Sequence, residues 1–170
     1  MEPGTQVFGK LLGVANHIAP EGLIGAVKQR VSLFRTNFKG ELTDEIWRLD
    51  LDNHDGGGPI LELNRAIPGI KELVRGEAFM ALVFPALMRQ IYQKIFADGC
   101  DPDDDRDSPW VRWLRFGERL VGQPFPPLIE GMPTSEHDEW VDKVVGEWSR
   151  RHKLVPRFKR IFASSEGESK

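Results

Sequence analysis

The stretch that decides the fold spans residues 77–96 and reads EAFMALVFPALMRQIYQKIF. Its first half is apolar on all sides, which is typical of a helix buried at the centre of a protein. In its second half, polar and apolar residues separate at helical spacing onto two faces. Pro85 removes one backbone donor and predicts a kink about one turn upstream, and Gly99 ends the helix. The predicted apolar face consists of Leu87, Met88, Ile91, Tyr92, Ile95 and Phe96.

Helices are also predicted on both sides of this stretch. Apolar residues recur at helical spacing over 7–18 and over 21–34, and a short helix ends near Gly76. Two further helices are predicted over 110–121 and 135–153, each preceded by residues that commonly cap helix N-termini. The chain is therefore predicted to be mainly α, with five to six helices.

A segment near residues 45–63 breaks the helical period. Trp47, Leu49 and Leu51 alternate with polar residues, which is the period of a half-buried strand. A glycine-rich polar loop follows, and residues 60–63 resume the alternation. We therefore predict one inserted β-hairpin with a long loop, which makes the fold a single compact α+β domain.

The alternation also predicts how the two strands of the hairpin pair. Leu49 is expected opposite Leu63 on the core side, and Asp50 opposite Glu62 on the solvent side. A slip by one residue would turn every polar side chain toward the core, so the choice of faces is strongly favoured.

Composition places the chain in a general class. Its 170 residues are 40% hydrophobic, which supplies a core for one domain, predicted over 1–163, followed by a polar flexible tail over 164–170. The 23 Lys and Arg against 26 Asp and Glu give a net charge of -3, which excludes an extreme polyanion or polycation.

Cysteine content and hydropathy suggest a location. The single cysteine, Cys100, cannot form an internal disulfide or a multi-cysteine metal site, which favours a reducing compartment. The longest apolar run, over 78–88, is shorter than the roughly 18–20 residues that span a bilayer. We therefore expect a cytoplasmic protein that does not use a membrane.

The predicted hairpin carries the first candidate site. Asp50, Asp52 and Glu62 could converge on one face and hold a divalent cation, as a metal-dependent nuclease or phosphodiesterase requires. However, Asn64 stands where the familiar nuclease pattern places a lysine. The alternative is that the carboxylates face solvent on a strand and that Glu62 pairs diagonally with Arg48.

Other catalytic patterns are absent from the sequence. Gly56–Gly58 lacks the Lys and Ser or Thr of a phosphate-binding loop, and the four histidines are far apart in sequence. Cys100 adjoins an acidic loop, whose negative field makes a thiol a poor nucleophile. We assign no catalytic residue, no metal and no cofactor from these patterns.

Two basic features are more informative. Spacings of three and four residues place Arg112, Arg115 and Arg119 on one side of a helix as an Arg stripe. Between residues 143 and 160 the chain has seven Lys and Arg and one acidic residue, in a protein that is negative overall. The candidate residues of this basic C-terminal segment are Arg150, Arg151, Lys153, Arg157, Lys159 and Arg160.

Two counter-ions are conceivable for these basic residues. One is the chain's own acidic loop over 98–107, which has a net charge of -5, and the other is an external anionic partner. We favour the external partner and predict a non-catalytic interaction subunit that binds a protein or a nucleic acid through these residues. The metal-dependent phosphodiesterase is the alternative, and an oligomer or subunit of a larger complex that associates through exposed aromatic residues stays open.

Overall fold

The computed structural model describes residues 33, 35–40, 42–52, 57–101, 103, 106–129 and 131–167. The predicted helix over 7–18, nearly all of the one over 21–34, and residues 168–170 lie outside the described residues. Among the described residues, three strands precede six helices, so the predicted α+β class is confirmed. The elements are β1 (Arg35–Lys39), β2 (Trp47–Asp50), β3 (Ile60–Asn64), α1 (Ile70–Leu73), α2 (Glu77–Leu82), α3 (Phe84–Ala97), α4 (Pro109–Val121), α5 (Ser135–Arg151) and α6 (Leu154–Gly167).

The predicted hairpin is present, but in a different register. Strands β2 and β3 pair antiparallel, with Leu49 opposite Leu61 and Asp50 opposite Ile60. The predictions of Leu49 opposite Leu63 and of Asp50 opposite Glu62 are therefore wrong by two residues. Because side chains alternate with a period of two, both registers place the same residues on the same face, and the alternation alone does not distinguish them.

Strand β1 was not predicted. Its sequence, RTNFK, pairs in parallel with β3, and the strand order is β1-β3-β2. The sequence of this stretch favours a turn after the helix predicted over 21–34, because Asn37 and Gly40 are common turn residues. With a neighbour on each side, β3 is the central strand, and residues 61–64 are all buried. Glu62 is only 3% exposed, so the expectation that it faces solvent is wrong.

The stretch over 77–96 forms two helices rather than one kinked helix. Helix α2 ends at Leu82, and α3 begins at Phe84 with Pro85 in its first turn. Proline has no N–H, and its ring clashes with the carbonyl four residues earlier, so a continuous helix is broken here. The predicted apolar face of α3 is confirmed, since all six of its residues are buried. On α2, Phe79 and Met80 are buried but Leu82 is 63% exposed, so burial on all sides is wrong for this half.

Helix α5 packs against both α3 and α4. The hydroxyl of Tyr92 on α3 donates a hydrogen bond to the backbone oxygen of Trp113 on α4 at 3.0 Å. The ring of Trp140 on α5 meets the Tyr92 ring edge-on, with centroids 5.3 Å apart. A Cβ atom added at Gly117 would lie 2.3 Å from the Trp140 ring, so the close approach of α4 and α5 depends on this glycine.

A tight turn joins α5 to α6. Helix α5 ends at Arg151, and Lys153 in the turn has a φ of 51°, in the left-handed region. Pro156 lies in the first turn of α6, where a missing N–H does no harm. Helix α6 packs on α2 and continues to Gly167, into the predicted tail. Within the described ranges, every helix is too short or too polar to cross a membrane.

Candidate functional site

The three carboxylates of the predicted metal site have three different partners. Glu62 forms an ion pair with Lys39. The Asp50 Oδ1 atom accepts a hydrogen bond from the backbone N–H of Asp52 at 3.1 Å, and the Asp52 Oδ1 atom lies 2.8 Å from Lys94 Nζ. Within the described part of the chain, no group of three or more His, Cys, Asp or Glu side chains could hold a metal ion. The metal-dependent phosphodiesterase therefore loses the ligand set on which it was based.

The environment of Glu62 explains its burial. It lies on the central strand, and the flanking strands β1 and β2 place Asn37 and Arg48 directly opposite it. Arg48, which was expected to pair with Glu62, instead donates from Nε to the Glu45 Oε2 atom at 2.6 Å. Lys39, which is itself half exposed, supplies the positive charge. Glu62 thus belongs to an ion pair within the sheet, and a buried carboxylate without such a partner would be strongly destabilising.

The two described histidines lie at the ends of α5. His137 is fully buried, and its Nδ1 atom accepts a hydrogen bond from the backbone N–H of Thr134 at 2.9 Å. The ring of His152 lies against the Trp148 ring, tilted by 35° with centroids 4.6 Å apart. Burial, together with the charge of Arg157, lowers the pKa of His152. His137 thus accepts a hydrogen bond at the N-terminal end of α5, and His152 packs against Trp148 at its C-terminal end. His17 and His54 lie outside the described residues.

The acidic loop contacts its immediate neighbours. Asp98 lies 3.0 Å from Lys94 Nζ, and hydrogen bonds to Asp52 and Asp98 raise the pKa of this lysine. Asp103 lies 3.4 Å from an Nη atom of Arg115. The loop therefore contacts the Arg stripe at Arg115, through a carboxylate, and at Arg112, through the backbone oxygen of Asp107.

The three arginines of the Arg stripe on α4 differ in the groups that they contact. Arg112 donates to the backbone oxygen of Asp107 at 2.6 Å. Arg115 lies 3.0 Å from Glu118, in addition to its contact with Asp103. Arg119 is exposed, and within the described residues it has no carboxylate partner. Within the described part of the chain, the carboxylate contacts of the stripe are thus those of Arg115, and Arg119 is the exposed arginine without such a contact.

Glu147 organises the end of α5. Its Oε1 atom lies 2.7 Å from Arg150 Nη2 and 2.7 Å from Arg151 Nε. Hydrogen bonds from Arg150 and then Arg151 lower the pKa of Glu147 to about 2. Arg151 also donates from Nη2 to the backbone oxygen of Leu120, at 2.8 Å. A guanidinium at this point caps the negative end of α4 and fixes the position of Arg151 between the two helices.

The rest of the basic C-terminal segment lies on α6 and in the turn before it. Arg157 Nε lies 3.8 Å and Arg160 Nη2 lies 3.4 Å from the Oε1 atom of Glu77. Lys153 and Lys159 are exposed and have no carboxylate partner among the described residues. In the described part of the chain, the ion pairs of this segment are thus made with carboxylates of α2 and α5.

A cleft of about 600 Å³ lies between the C-terminal end of α4 and the second half of α5. It brings together Arg119 of the Arg stripe and Arg151 of the basic C-terminal segment, which are far apart in sequence. Lys143 of α5 also lines it, and Glu147 is its one carboxylate. The cleft, which we call the basic cleft, is completed by Leu120, Val121, Gly122, Gln123 and Gly146.

Sequence reasoning missed two residues of the basic cleft. Lys143 contributes to the basic charge over 143–160 but is not among the predicted site residues, and Gly146 has no charge that would mark it. Lys143, Gly146 and Glu147 are spaced by three and four residues, so they share one side of α5. The sequence shows that spacing, but it does not show that the C-terminal end of α4 lies across the cleft from these residues. The chain matches no protein-family model, and comparisons with curated proteins and with solved structures give no match.

Proposed function

We propose that this protein is a non-catalytic interaction subunit that binds an anionic partner, a protein or a nucleic acid, through its basic surface. The observation that carries the proposal is the meeting of Arg119, Lys143 and Arg151 at one cleft in a protein of net charge -3. Cations concentrated at one place in a negative protein produce a local positive field, which attracts and orients an anion.

The internal carboxylates support this proposal because they position the arginines without neutralising the surface. Glu147 holds two arginines and Glu77 contacts two more. Arg119, Lys143, Lys153 and Lys159 remain exposed without a carboxylate partner among the described residues. Exposed ion pairs contribute little to stability, so this arrangement is better explained by binding than by folding.

The proposal extends to the setting in which the protein acts. A subunit without a catalytic group acts by holding another molecule, so we place it in an oligomer or a larger complex. Its single cysteine, Cys100, fits the cytoplasm, where thiols stay reduced. We do not propose phosphodiester cleavage, because Asp50, Asp52 and Glu62 do not converge.

Charge reversal tests the proposal directly. Binding of a labelled acidic peptide, a labelled single-stranded RNA and a labelled DNA duplex is measured by fluorescence anisotropy at low and high salt. Arg119→Glu combined with Lys159→Glu should abolish binding of the preferred probe and leave the melting temperature nearly unchanged. The matched control is Arg65→Glu combined with Arg75→Glu, two exposed arginines outside both basic features. Equal loss in the control, or no binding of any probe at low salt, would contradict the proposal.

A further inference from the structure

Two glycines inside long helices have opposite surroundings. At Gly117 on α4, an added Cβ would lie 2.3 Å from the Trp140 ring and 2.8 Å from Tyr92 Oη, so packing requires a glycine. At Gly146 on α5, an added Cβ would meet nothing within 4 Å. Glycine weakens a helix interior relative to alanine, and no neighbour of Gly146 compensates for that loss.

Gly146 lies in the wall of the basic cleft. Lys143 precedes it by three residues, Glu147 follows it, and Arg119 lines the same cleft from α4. The missing side chain leaves the surface of α5 open at this point, which is where another chain's backbone can approach closely. The apolar side chains of Leu120 and Val121 border the same space.

The charges of the basic cleft suit a small number of anionic groups. Arg119 and Lys143 have no carboxylate partner in the described part of the chain, and Arg151 is fixed by Glu147 and by the Leu120 carbonyl. Side-chain carboxylates of a partner can therefore accept hydrogen bonds from Arg119 and Lys143, beside the fixed cation of Arg151.

A long polyanion fits this surface poorly. Helix α4 has 13 residues, and at roughly 1.5 Å per residue its ends are about 20 Å apart. The basic cleft lies at the C-terminal end, Asp107 lies beside the N-terminal end, and Asp103 lies against Arg115 in the middle of the helix. Arg112 and Arg115, which would bridge the gap, already contact these two residues. Duplex DNA has one negative charge per roughly 1.7 Å of its axis. A duplex lying along the full length of α4 would therefore bring phosphates close to the carboxylates of Asp103 and Asp107.

We propose that the basic cleft binds an extended acidic segment of a protein partner, with the backbone of the segment over Gly146 and its carboxylates on Arg119 and Lys143. This inference rests on the proposed function and narrows its partner to an acidic peptide. Lys153 and Lys159, which lie outside the cleft, are not required for this contact.

The experiment measures anisotropy of a fluorescein-labelled octaglutamate peptide, with unlabelled DNA duplex as competitor. Arg119→Gln combined with Lys143→Gln should weaken peptide binding about tenfold or more at low salt. Arg65→Gln combined with Arg75→Gln is the matched control and should change affinity less than about twofold. The competing duplex should displace the peptide only at high excess.

Substitution of Gly146 tests the proposed backbone contact without changing the charge of the basic cleft. Gly146→Ala should raise the melting temperature by about 2–4 °C, because alanine favours the helix, and should weaken peptide binding about fivefold. Gly146→Gln should weaken binding further, since its longer side chain fills more of the cleft.

The outcomes separate this inference from the proposed function. If Lys159→Gln weakens binding while Arg119→Gln with Lys143→Gln does not, or if duplex displaces the peptide at equal concentration, the inference fails and the proposed function stands. Unchanged peptide binding by Gly146→Gln also overturns the inference. If neither peptide nor duplex binds the wild-type protein at low salt, both fail.

Discussion

Replacing Gly117 with alanine should destabilise the protein, while the same replacement at Gly146 should stabilise it. Both glycines lie in the interior of a helix, so the change in helix propensity is the same for both. They differ in what the new methyl group meets. The pair therefore isolates the packing between α4 and α5 from the intrinsic preference of the backbone.

The magnitude follows from the distances. Alanine in a helix interior is favoured over glycine by about 1 kcal/mol. At Gly117 the methyl would lie 2.3 Å from Cη2 of Trp140, well inside an ordinary carbon–carbon contact of about 3.5 Å. Trp140 is 3% exposed and Tyr92 is fully buried, so neither ring can move aside freely. Overpacking costs about 1–3 kcal/mol, and at the upper end of that range Gly117→Ala loses about 2 kcal/mol net.

Urea unfolding followed by tryptophan fluorescence and by far-ultraviolet circular dichroism measures both variants against wild type. The free energies of unfolding of Gly117→Ala and Gly146→Ala should differ by about 3 kcal/mol, with opposite signs relative to wild type. In thermal melts this corresponds to about 4–8 °C below wild type for Gly117→Ala and about 2–4 °C above it for Gly146→Ala. A Gly117→Ala variant as stable as Gly146→Ala would refute the close contact between α4 and α5.

Three further predictions concern the core and the charged surface. Ile91→Ala should lower the free energy of unfolding by about 2–5 kcal/mol because its side chain is fully buried, and a loss below about 0.5 kcal/mol would contradict that burial. Tyr92→Phe should cost about 1 kcal/mol near neutral pH, because it removes the hydrogen bond to Trp113. Burial raises the pKa of Tyr92, so wild-type stability should fall above pH 10.0, where tyrosine ionises in the unfolded state, and the fall should be smaller in Tyr92→Phe. The pKa of Glu147 is lowered from 4.5 to about 2, so its stabilising contribution is present above pH 4.5 and is lost as the pH falls toward 2. In acid titrations of stability Glu147→Gln should lose less over this range than wild type, and identical slopes would show that the two arginines do not hold this carboxylate.

The helices were the most predictable part of the fold. The apolar face of α3 could be assigned from spacing alone, and all six of its residues are buried. The same periodicity did not reveal the break at Val83, because an apolar run contains no polar residue to mark it. Pro85 indicated that the helix is disturbed there, but whether a proline kinks a helix or ends it depends on what each half packs against.

The sheet was only half predictable. Alternation identified β2 and β3 and the faces of their side chains, because that pattern is local. Strand β1 has only five residues and contains Asn37, a common turn residue, so its local sequence does not indicate a strand. Its conformation was decided by the pairing with β3. That pairing makes β3 central and buries Glu62, which excluded this carboxylate from any solvent-facing metal site.

The sequence by itself determined the helical faces, the presence of the hairpin and the excess of basic residues over 143–160, since each of these depends on neighbours within a few positions. Only the tertiary structure decided which charges meet. Arg119 and Arg151 lie on different helices and share a cleft because the packing of α4 against α5 through Gly117 and Trp140 brings the helix ends together. Spacing along a chain predicts what one helix presents, whereas contacts between helices arise from the shape of the packed core, which no short segment encodes.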